Sequence, residues 1–249
     1  MSNNGSAAFG DKLQNAIDEM KIPLSLSEEQ KNAYYIFYKD LVEKNKVMNL
    51  TSITEEKDVI LKHFADSVAL ALAIPNLEKE KIKVLDLGTG AGFPGIPLAI
   101  AYPDMELTLA DSLNKRILFI KEETDKLGLR NVSAVHGRAE DLARDPEYRE
   151  KFNICVSRAV ANLSTLTEYC IPFIHNRGFF IPYKSGNVDE EIEKSEKALQ
   201  ILKGTVERIC HYSLPEDAGE RTLVMIRKEG QTPKKYPRKA GLPSKEPIA

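Results

Sequence analysis

A chain of 249 residues with 42% hydrophobic and 29% charged residues has an ordinary globular composition, which excludes a disordered, fibrous or low-complexity protein. A formal net charge of −2 excludes a protein that coats nucleic acid over its whole surface, but leaves room for charge concentrated locally. Residues 231–249 hold five basic side chains and one acidic, so the remaining 30 basic and 36 acidic residues form a body with a balance of −6.

The first residues, MSNNGSAAFGDKL, have neither the cationic nor the apolar stretch of a signal peptide. The most apolar run, Val68 to Ile74, falls far short of the roughly 20 residues that a membrane span needs, so no membrane partner is expected. The first 75 residues read as helices. Ser27 followed by Gln30 is a capping-box pattern, and Tyr34, Phe37, Tyr38, Leu41 and Val42 follow at helical spacing. A further helix is expected to carry Ile60, Phe64, Ser67 and Ala71 on one face, with His63 and Asp66 beside it.

The period then changes. Strand-like runs occur at Lys83–Leu87, Leu107–Ala110, Val132–His136, Phe152–Ser157 and Gly178–Tyr183. Helical patterns lie between several of them, one with Leu113, Ile117, Ile120, Thr124 and Leu127, another with Ile192, Ser195, Leu199 and Leu202. Strands alternating with helices predict a mostly parallel sheet covered on both faces. Two last strands, Val206–Leu214 and Arg221–Lys228, have no helix between them and should form a hairpin, placing an antiparallel strand on the sheet edge. The expected organisation is a helical extension at 1–75 packed on the core, a catalytic domain at 76–230 and a basic tail at 231–249.

The strongest local signal is VLDLGTGAGFPG, Val84 to Gly95. A buried strand carrying Asp86 runs into Gly88, Gly90 and Gly92, which allow a tight turn and a ligand lying against bare backbone, and Phe93 follows. Gly90, Gly92 and Gly95 also satisfy the dinucleotide fingerprint G-x-G-x-x-G. In either reading Asp111, after the second strand, is placed to hold ribose hydroxyls. Three features favour S-adenosylmethionine over a nicotinamide dinucleotide: the acid two residues before the first glycine, the terminal hairpin, and the acidic site at Arg138-Ala139-Glu140-Asp141 where an adenine edge would lie.

At the end of the fourth strand the chain has Ser157-Arg158-Ala159-Val160 instead of the Pro-Pro-aromatic clamp that goes with an adenine amine. Cytosine carbon methylation needs a cysteine nucleophile, but Cys155 sits in an apolar run, where a buried structural role is expected. Cys155, Cys170 and Cys210 are widely spaced, suggesting neither disulfides nor a metal knuckle; reduced thiols fit a cytoplasmic protein. The four histidines, His63, His136, His175 and His211, form no cluster suggesting a metal site or a base. Guanine N7 fits this pattern, since it offers an in-plane lone pair and no proton to remove. In the tail, Lys234, Lys235, Arg238 and Lys239 surround Tyr236. Prolines are expected to keep the segment extended, so that the cations meet phosphate and Tyr236 stacks on an exposed base. A solvated, disordered terminus is the plainer alternative.

These stretches together resemble the bacterial 16S ribosomal RNA guanine-N7 methyltransferase family, once called glucose-inhibited division protein B. The resemblance runs from about Ser27 to Ile248. It is carried by Asn49-Leu50-Thr51-Ser52-Ile53, His63-Phe64-Ala65-Asp66-Ser67, the glycine loop, Asp111 to Arg116, Arg138-Ala139-Glu140, Ser157 to Val160 and Thr232 to Arg238. The first ten or so residues are an extension of that pattern. The resemblance implies an α/β, doubly wound class I S-adenosylmethionine-dependent methyltransferase fold with a seven-stranded sheet, acting as a monomer on 16S RNA or the small ribosomal subunit, without a metal. The target implied is a guanine in the 530-loop region. By position Gly88 and Phe93 would line the cofactor pocket, Asp111 would hold the ribose, Ala139 and Glu140 would flank the adenine, and Arg158 would stand at the active-site mouth. His63 and Lys184 are further candidates for RNA contact. A nicotinamide oxidoreductase, an RNA-binding assembly factor, and a protein or small-molecule methyltransferase are the rival readings.

Overall fold

The computed structural model describes residues 3–77, 81–158 and 160–248; Ala159, from the Ser157–Val160 segment, lies outside the described residues, as does Ala249 at the end of the tail. Seven strands form one sheet: β1 (Lys83–Leu87), β2 (Glu106–Asp111), β3 (Val132–His136), β4 (Phe152–Arg158), β5 (Ile174–Ser185), β6 (Gly204–Leu214) and β7 (Gly219–Lys228). Their order is β3-β2-β1-β4-β5-β7-β6. The first five pair in parallel, while β7 runs antiparallel to both β5 and β6. This corrects one expectation. The antiparallel strand is inserted between β5 and β6, and β6 takes the edge, because β7 offers the more apolar strand (buried from Leu223 to Ile226) to the interior position.

The N-terminal helices are α1 (Asn3–Glu19) and α2 (Glu28–Met48). Helix α2 starts where the capping box predicts: Ser27 Oγ accepts from the Gln30 N–H, and Gln30 Oε1 accepts from the Ser27 N–H at 2.9 Å. It stops at Asn49, whose left-handed φ of 51° suits an asparagine better than most residues. Tyr34, Phe37 and Leu41 line its buried face. Residues 3–10, part of the segment read from the sequence only as an extension, form the first half of α1, and Phe9 is buried there between Tyr35, Tyr38 and Phe64. Burying one such ring contributes about 2–3 kcal/mol. Phe9, Tyr34, Phe64, Ile96, Leu107 and Ile181 belong to one apolar cluster, so the N-terminal helices cover one face of the sheet.

Between α2 and the sheet, α3 (Glu56–Asp58), a π-helical segment (Val59–Ala65), α4 (Asp66–Val68) and α5 (Leu70–Ala73) follow one another. The expected apolar face is there, with Ile60, Phe64, Ser67 and Ala71 all buried, but its centre is wound as a π-helix. The remaining helices are α6 (Gly95–Ala101), α7 (Asn114–Lys126), α8 (Ala139–Leu142), α9 (Leu163–Cys170), α10 (Asp189–Leu202) and α11 (Leu242–Lys245). Helices α9 and α10 and the tail cover the other face.

The tail is not extended. Tyr236 is buried in the second apolar cluster, and Arg149 donates to the carbonyls of Tyr236 (3.0 Å) and Thr232 (3.0 Å). Arg238 binds the buried Glu168 through its backbone N–H and its guanidinium. Composition hid this, because the carboxylates and arginines that hold the segment lie 70 to 101 residues away in sequence.

Candidate active site

The carboxyl ends of β1, β2 and β4 converge, as expected for an open α/β sheet. Beyond β1 the chain turns through Gly88 (φ 76°) and Gly90 (φ 62°). A Cβ on Gly88 would lie 2.7 Å from Val160 Cγ2, whereas one on Gly90 would meet nothing within 4 Å. Gly88 is therefore a close approach of two chain segments, and Gly90 faces open space. Asp86 braces the turn from beneath. Its Oδ2 accepts from Thr89 Oγ1 at 2.7 Å and from the Gly95 N–H at 2.8 Å, while its Oδ1 is buried without a hydrogen-bond partner. Burial is the main cause that raises this carboxyl to about 6.

Asp111, at the end of β2, is 4% exposed. Its Oδ2 accepts from the Gly90 N–H (3.0 Å) and Arg116 Nη1 (3.2 Å), and its Oδ1 from the Leu113 N–H (2.9 Å). The carboxylate thus ties the glycine turn to the start of α7, and its four lone-pair positions leave acceptor capacity for a ligand. A cavity of about 420 Å³ opens over these groups, lined by Gly88, Gly90, Phe93, Asp111, His63 and Arg158 among others. The size suits a small organic cofactor. Bare glycine backbone facing open space and an acid with spare acceptor capacity beside the second strand together suit S-adenosylmethionine, which carries a sulfonium and ribose hydroxyls.

Phe93 is the centre of the opposite wall. The His63 ring stacks on it with centroids 4.3 Å apart and planes 16° from parallel, and the Arg158 guanidinium carbon lies 5.3 Å from its centroid. Burial first, and Arg158 second, depress the His63 imidazolium to about 3, so this ring is neutral at physiological pH. Its Nε2 shares a hydrogen bond of 2.9 Å with Thr51 Oγ1. Arg158, at the end of β4, donates from Nη1 to Asp66 Oδ2 at 2.7 Å. Behind Arg158 lies a second cavity of about 390 Å³, lined by Lys62, Asp66, Lys184, Glu191 and Arg221, with His63 and Arg158 again on its wall. These two side chains separate the cavities.

Gly88, Gly90, Phe93, Asp111, Arg158 and His63 are thus brought together on the cavity. Asp86 lies beneath the turn, fully buried and off the cavity lining, and Gly92 (φ 93°) is inside the turn against Ile96. Ala139 and Glu140 do not line the cavity. They open α8, next to Asp111 through the Gly137 N–H bonded to the Asp111 carbonyl (3.1 Å). Glu140, 5% exposed, turns Oε1 to the tail, where it accepts from the Gly241 N–H (2.7 Å). Lys184 Nζ is bound by the Ala161 carbonyl (3.0 Å) and Glu191 (2.6 Å). Lys234, Lys235 and Lys239 are exposed, but Tyr236 and Arg238 are not available as expected: the ring is buried and the guanidinium is paired with Glu168. In this structure the two side chains anchor the tail. Thr51, Lys62, Tyr212 and Arg221 were not singled out as site residues, since no local motif reports them; Thr51 alone lay in a stretch carrying the family resemblance.

Cys155 is fully buried, and burial followed by the neighbouring Cys170 raises its thiol well above the usual range, so it is a poor nucleophile. Among the described residues no group of three or more His, Cys, Asp or Glu side chains is placed to hold a metal ion. No helix among them is long and apolar enough to cross a membrane.

Known proteins place this geometry. A solved S-adenosylmethionine-dependent methyltransferase from Aquifex aeolicus superposes with a TM-score of 0.52 at 16% identity, over 75% of this chain and 97% of that one. The [4+2]-cyclase SpnF superposes with a TM-score of 0.55 at 12% identity, over 84% of this chain and 98% of that one. At such identities the likeness concerns the fold, a class I S-adenosylmethionine-dependent methyltransferase fold. Sequence relatives are nearer. The ribosomal RNA small subunit methyltransferase G of Lachnoclostridium phytofermentans is 51% identical over 229 residues, 90% of this chain and 92% of its own. The protein of the same name from Desulforamulus reducens is 48% identical over 239 residues, 95% of this chain and 97% of its own. The sequence pattern of the rRNA small subunit methyltransferase G family (GidB) matches residues 30–223. With that match, the relatives and the glycine turn agreeing, the chain belongs to the rRNA small subunit methyltransferase G family, with S-adenosylmethionine as its cofactor.

Proposed function

We propose that this rRNA methyltransferase acts on N7 of a guanine in 16S ribosomal RNA, in the 530-loop region, with the RNA or the small subunit particle as its partner. The observation that carries the reading is the pair of cavities meeting at Arg158 and His63. One has the chemistry of a cofactor site; the other is lined by Lys62, Arg158, Lys184 and Arg221 against the carboxylates Asp66 and Glu191, a lining with an excess of positive charge suited to a nucleotide and its phosphate. S-adenosylmethionine, when bound, supplies an electrophilic methyl group. The glycine turn, braced from beneath by Asp86, would hold it against backbone, and Asp111 would take its ribose. Ala139 and Glu140 would flank the adenine through their backbone.

The chain's own work is alignment. In-line transfer needs donor and acceptor held in a near-attack geometry, which can supply about 7–11 kcal/mol of the barrier. Arg158 and the His63–Phe93 stack form the wall across which the two must face each other. His63, neutral and held near 3, is a weak base, and Cys155 is not poised to attack a ring. Guanine N7 requires neither, because it attacks with an in-plane lone pair and releases no proton. Lys234, Lys235 and Lys239, presented on a folded strap, would add phosphate contacts outside the cavity.

Transfer of a labelled methyl group to 30S particles from cells lacking this enzyme, followed by nucleoside mass spectrometry, tests the reading. Label recovered as 7-methylguanosine at one site is the expected result. Label in another nucleoside, or none with S-adenosylmethionine binding intact, overturns the guanine assignment.

A further inference from the structure

Asp66 was left undecided by the sequence, and the structure gives it an unusual set of partners. Its side chain is 3% exposed. Oδ2 receives Arg158 Nη1 at 2.7 Å; Oδ1 receives the Tyr212 hydroxyl at 2.8 Å, with Arg221 Nε at 3.6 Å. Tyr212 and Arg221 face each other across the β6–β7 hairpin, so one carboxylate joins that hairpin, the end of β4 and the N-terminal helices. The surrounding backbone serves the same contact. The carbonyls of Lys62 and His63, in the π-helical segment, lie 3.4 and 3.5 Å from Arg158 Nη1. Tyr183 anchors the next turn by donating its hydroxyl to the Ser67 carbonyl at 2.7 Å. π-helical turns are often found at functional sites, where they turn a side chain or a carbonyl out of the regular ladder.

The geometry points to Asp66 as the positioning residue for Arg158: it fixes the guanidinium as the partition between the two cavities and so sets the line along which the methyl group passes. An arginine has a long, flexible stem, and its contact with the Phe93 ring, with the guanidinium carbon 5.3 Å from the centroid, does not by itself fix the direction of its N–H groups. The short bond to Asp66 removes that freedom. Because both Asp66 oxygens are already engaged, the residue acts through Arg158. This inference rests on the proposal that Arg158 stands between cofactor and acceptor, and it goes further by naming what holds it there.

The test is a double-mutant cycle on Asp66→Asn and Arg158→Gln, read in methyl transfer to 30S particles, in calorimetric affinity for S-adenosylhomocysteine and in urea midpoints. Asparagine keeps an acceptor for Tyr212 and removes the charge that grips Arg158. In wild-type background Asp66→Asn is expected to lower kcat about 100-fold, the scale for a misplacement of about 1 Å. KM for the particle and the S-adenosylhomocysteine affinity should stay within about threefold of wild type, since binding is distributed over other groups. With Arg158→Gln already present, Asp66→Asn should not lower kcat further, because effects passing through one shared partner do not add, whereas the urea midpoint still falls through Tyr212 and Arg221. Tyr212→Phe, which keeps every charge and loosens the carboxylate, is a milder second variant; it should lower kcat severalfold with Arg158 present and not in its absence. A kcat within threefold of wild type for Asp66→Asn, or additive losses of kcat in the cycle, would overturn the assignment. If wild-type enzyme labels a nucleoside other than 7-methylguanosine, the guanine reading falls while the cycle, measured on that product, still decides the role of Asp66.

Discussion

Replacing Arg238 by alanine is expected to unfold the C-terminal strap and to cost the whole protein about 3 kcal/mol, the lower end of what breaking a buried pair costs. The magnitude follows from Glu168, whose side chain is 1% exposed. Its two oxygens receive Arg238 N (2.7 Å), Nε (3.0 and 3.1 Å) and Nη2 (2.8 Å). Alanine leaves the backbone N–H but strips the guanidinium from a carboxylate that water cannot reach, which is why the low end of the range applies. Against a total stability of about 5–15 kcal/mol the loss is large. Equilibrium unfolding in urea measures it. The double variant Glu168→Leu with Arg238→Met should recover most of the loss, since an apolar pair of similar volume removes the stranded charge. Trypsin cleavage after Lys234 or Lys235 should accelerate in Arg238→Ala and not in the double variant. A loss below about 1 kcal/mol would mean that the strap is detached in solution, and would refute the anchoring role given to Tyr236 and Arg238.

Three further outcomes can be checked independently. Gly88→Ala combines a φ of 76° with a Cβ 2.7 Å from Val160 Cγ2, so it should lower S-adenosylhomocysteine affinity at least tenfold, with a stability loss of about 1–2 kcal/mol. Removing the charges of Lys234, Lys235 and Lys239 together should weaken binding to 16S RNA and flatten its salt dependence by up to about three in log–log slope, with the melting temperature unchanged because all three side chains are exposed. Glu123 is buried with Oε1 unpaired, and burial raises its carboxyl to about 8. A raised carboxyl is protonated in the folded state, so the stability it brings is present at low pH and lost as pH rises from 4.5 through 8. Glu123→Gln, a permanent mimic of the neutral form, should therefore melt above wild type at pH 9 and close to it at pH 4.5; equal melting at both values would contradict the assignment.

Some features were legible in the chain because the interactions that make them are local. Ser27 and Gln30 meet three residues apart, and α2 begins between them. The central strands β1 and β4 fall within a residue of where apolar runs put them, since a central parallel strand is buried on both faces and shows as such a run. The glycine turn was legible for the same reason: tight backbone needs a residue type, and residue types are written in the sequence.

Other features depend on partners that sequence distance conceals. Asp66 and Arg158 are 92 residues apart, and their bond decides how the two cavities are divided. His63 could be seen as a candidate, but its neutrality comes from burial against Phe93 and from Arg158, which no local pattern reports. The tail reads as solvated from its lysines and prolines, and it folds because the buried Glu140 and Glu168 and the half-buried Arg149 offer it partners. By itself, then, the sequence determined the alternation of strands and helices, the helix cap and the cofactor turn, each set by near-neighbour sterics and hydrogen bonding. Tertiary structure alone decided the place of β7, the fold of the tail and the electrostatic state of the wall between the cavities, because burial and long-range charge pairing exist only once the chain has closed.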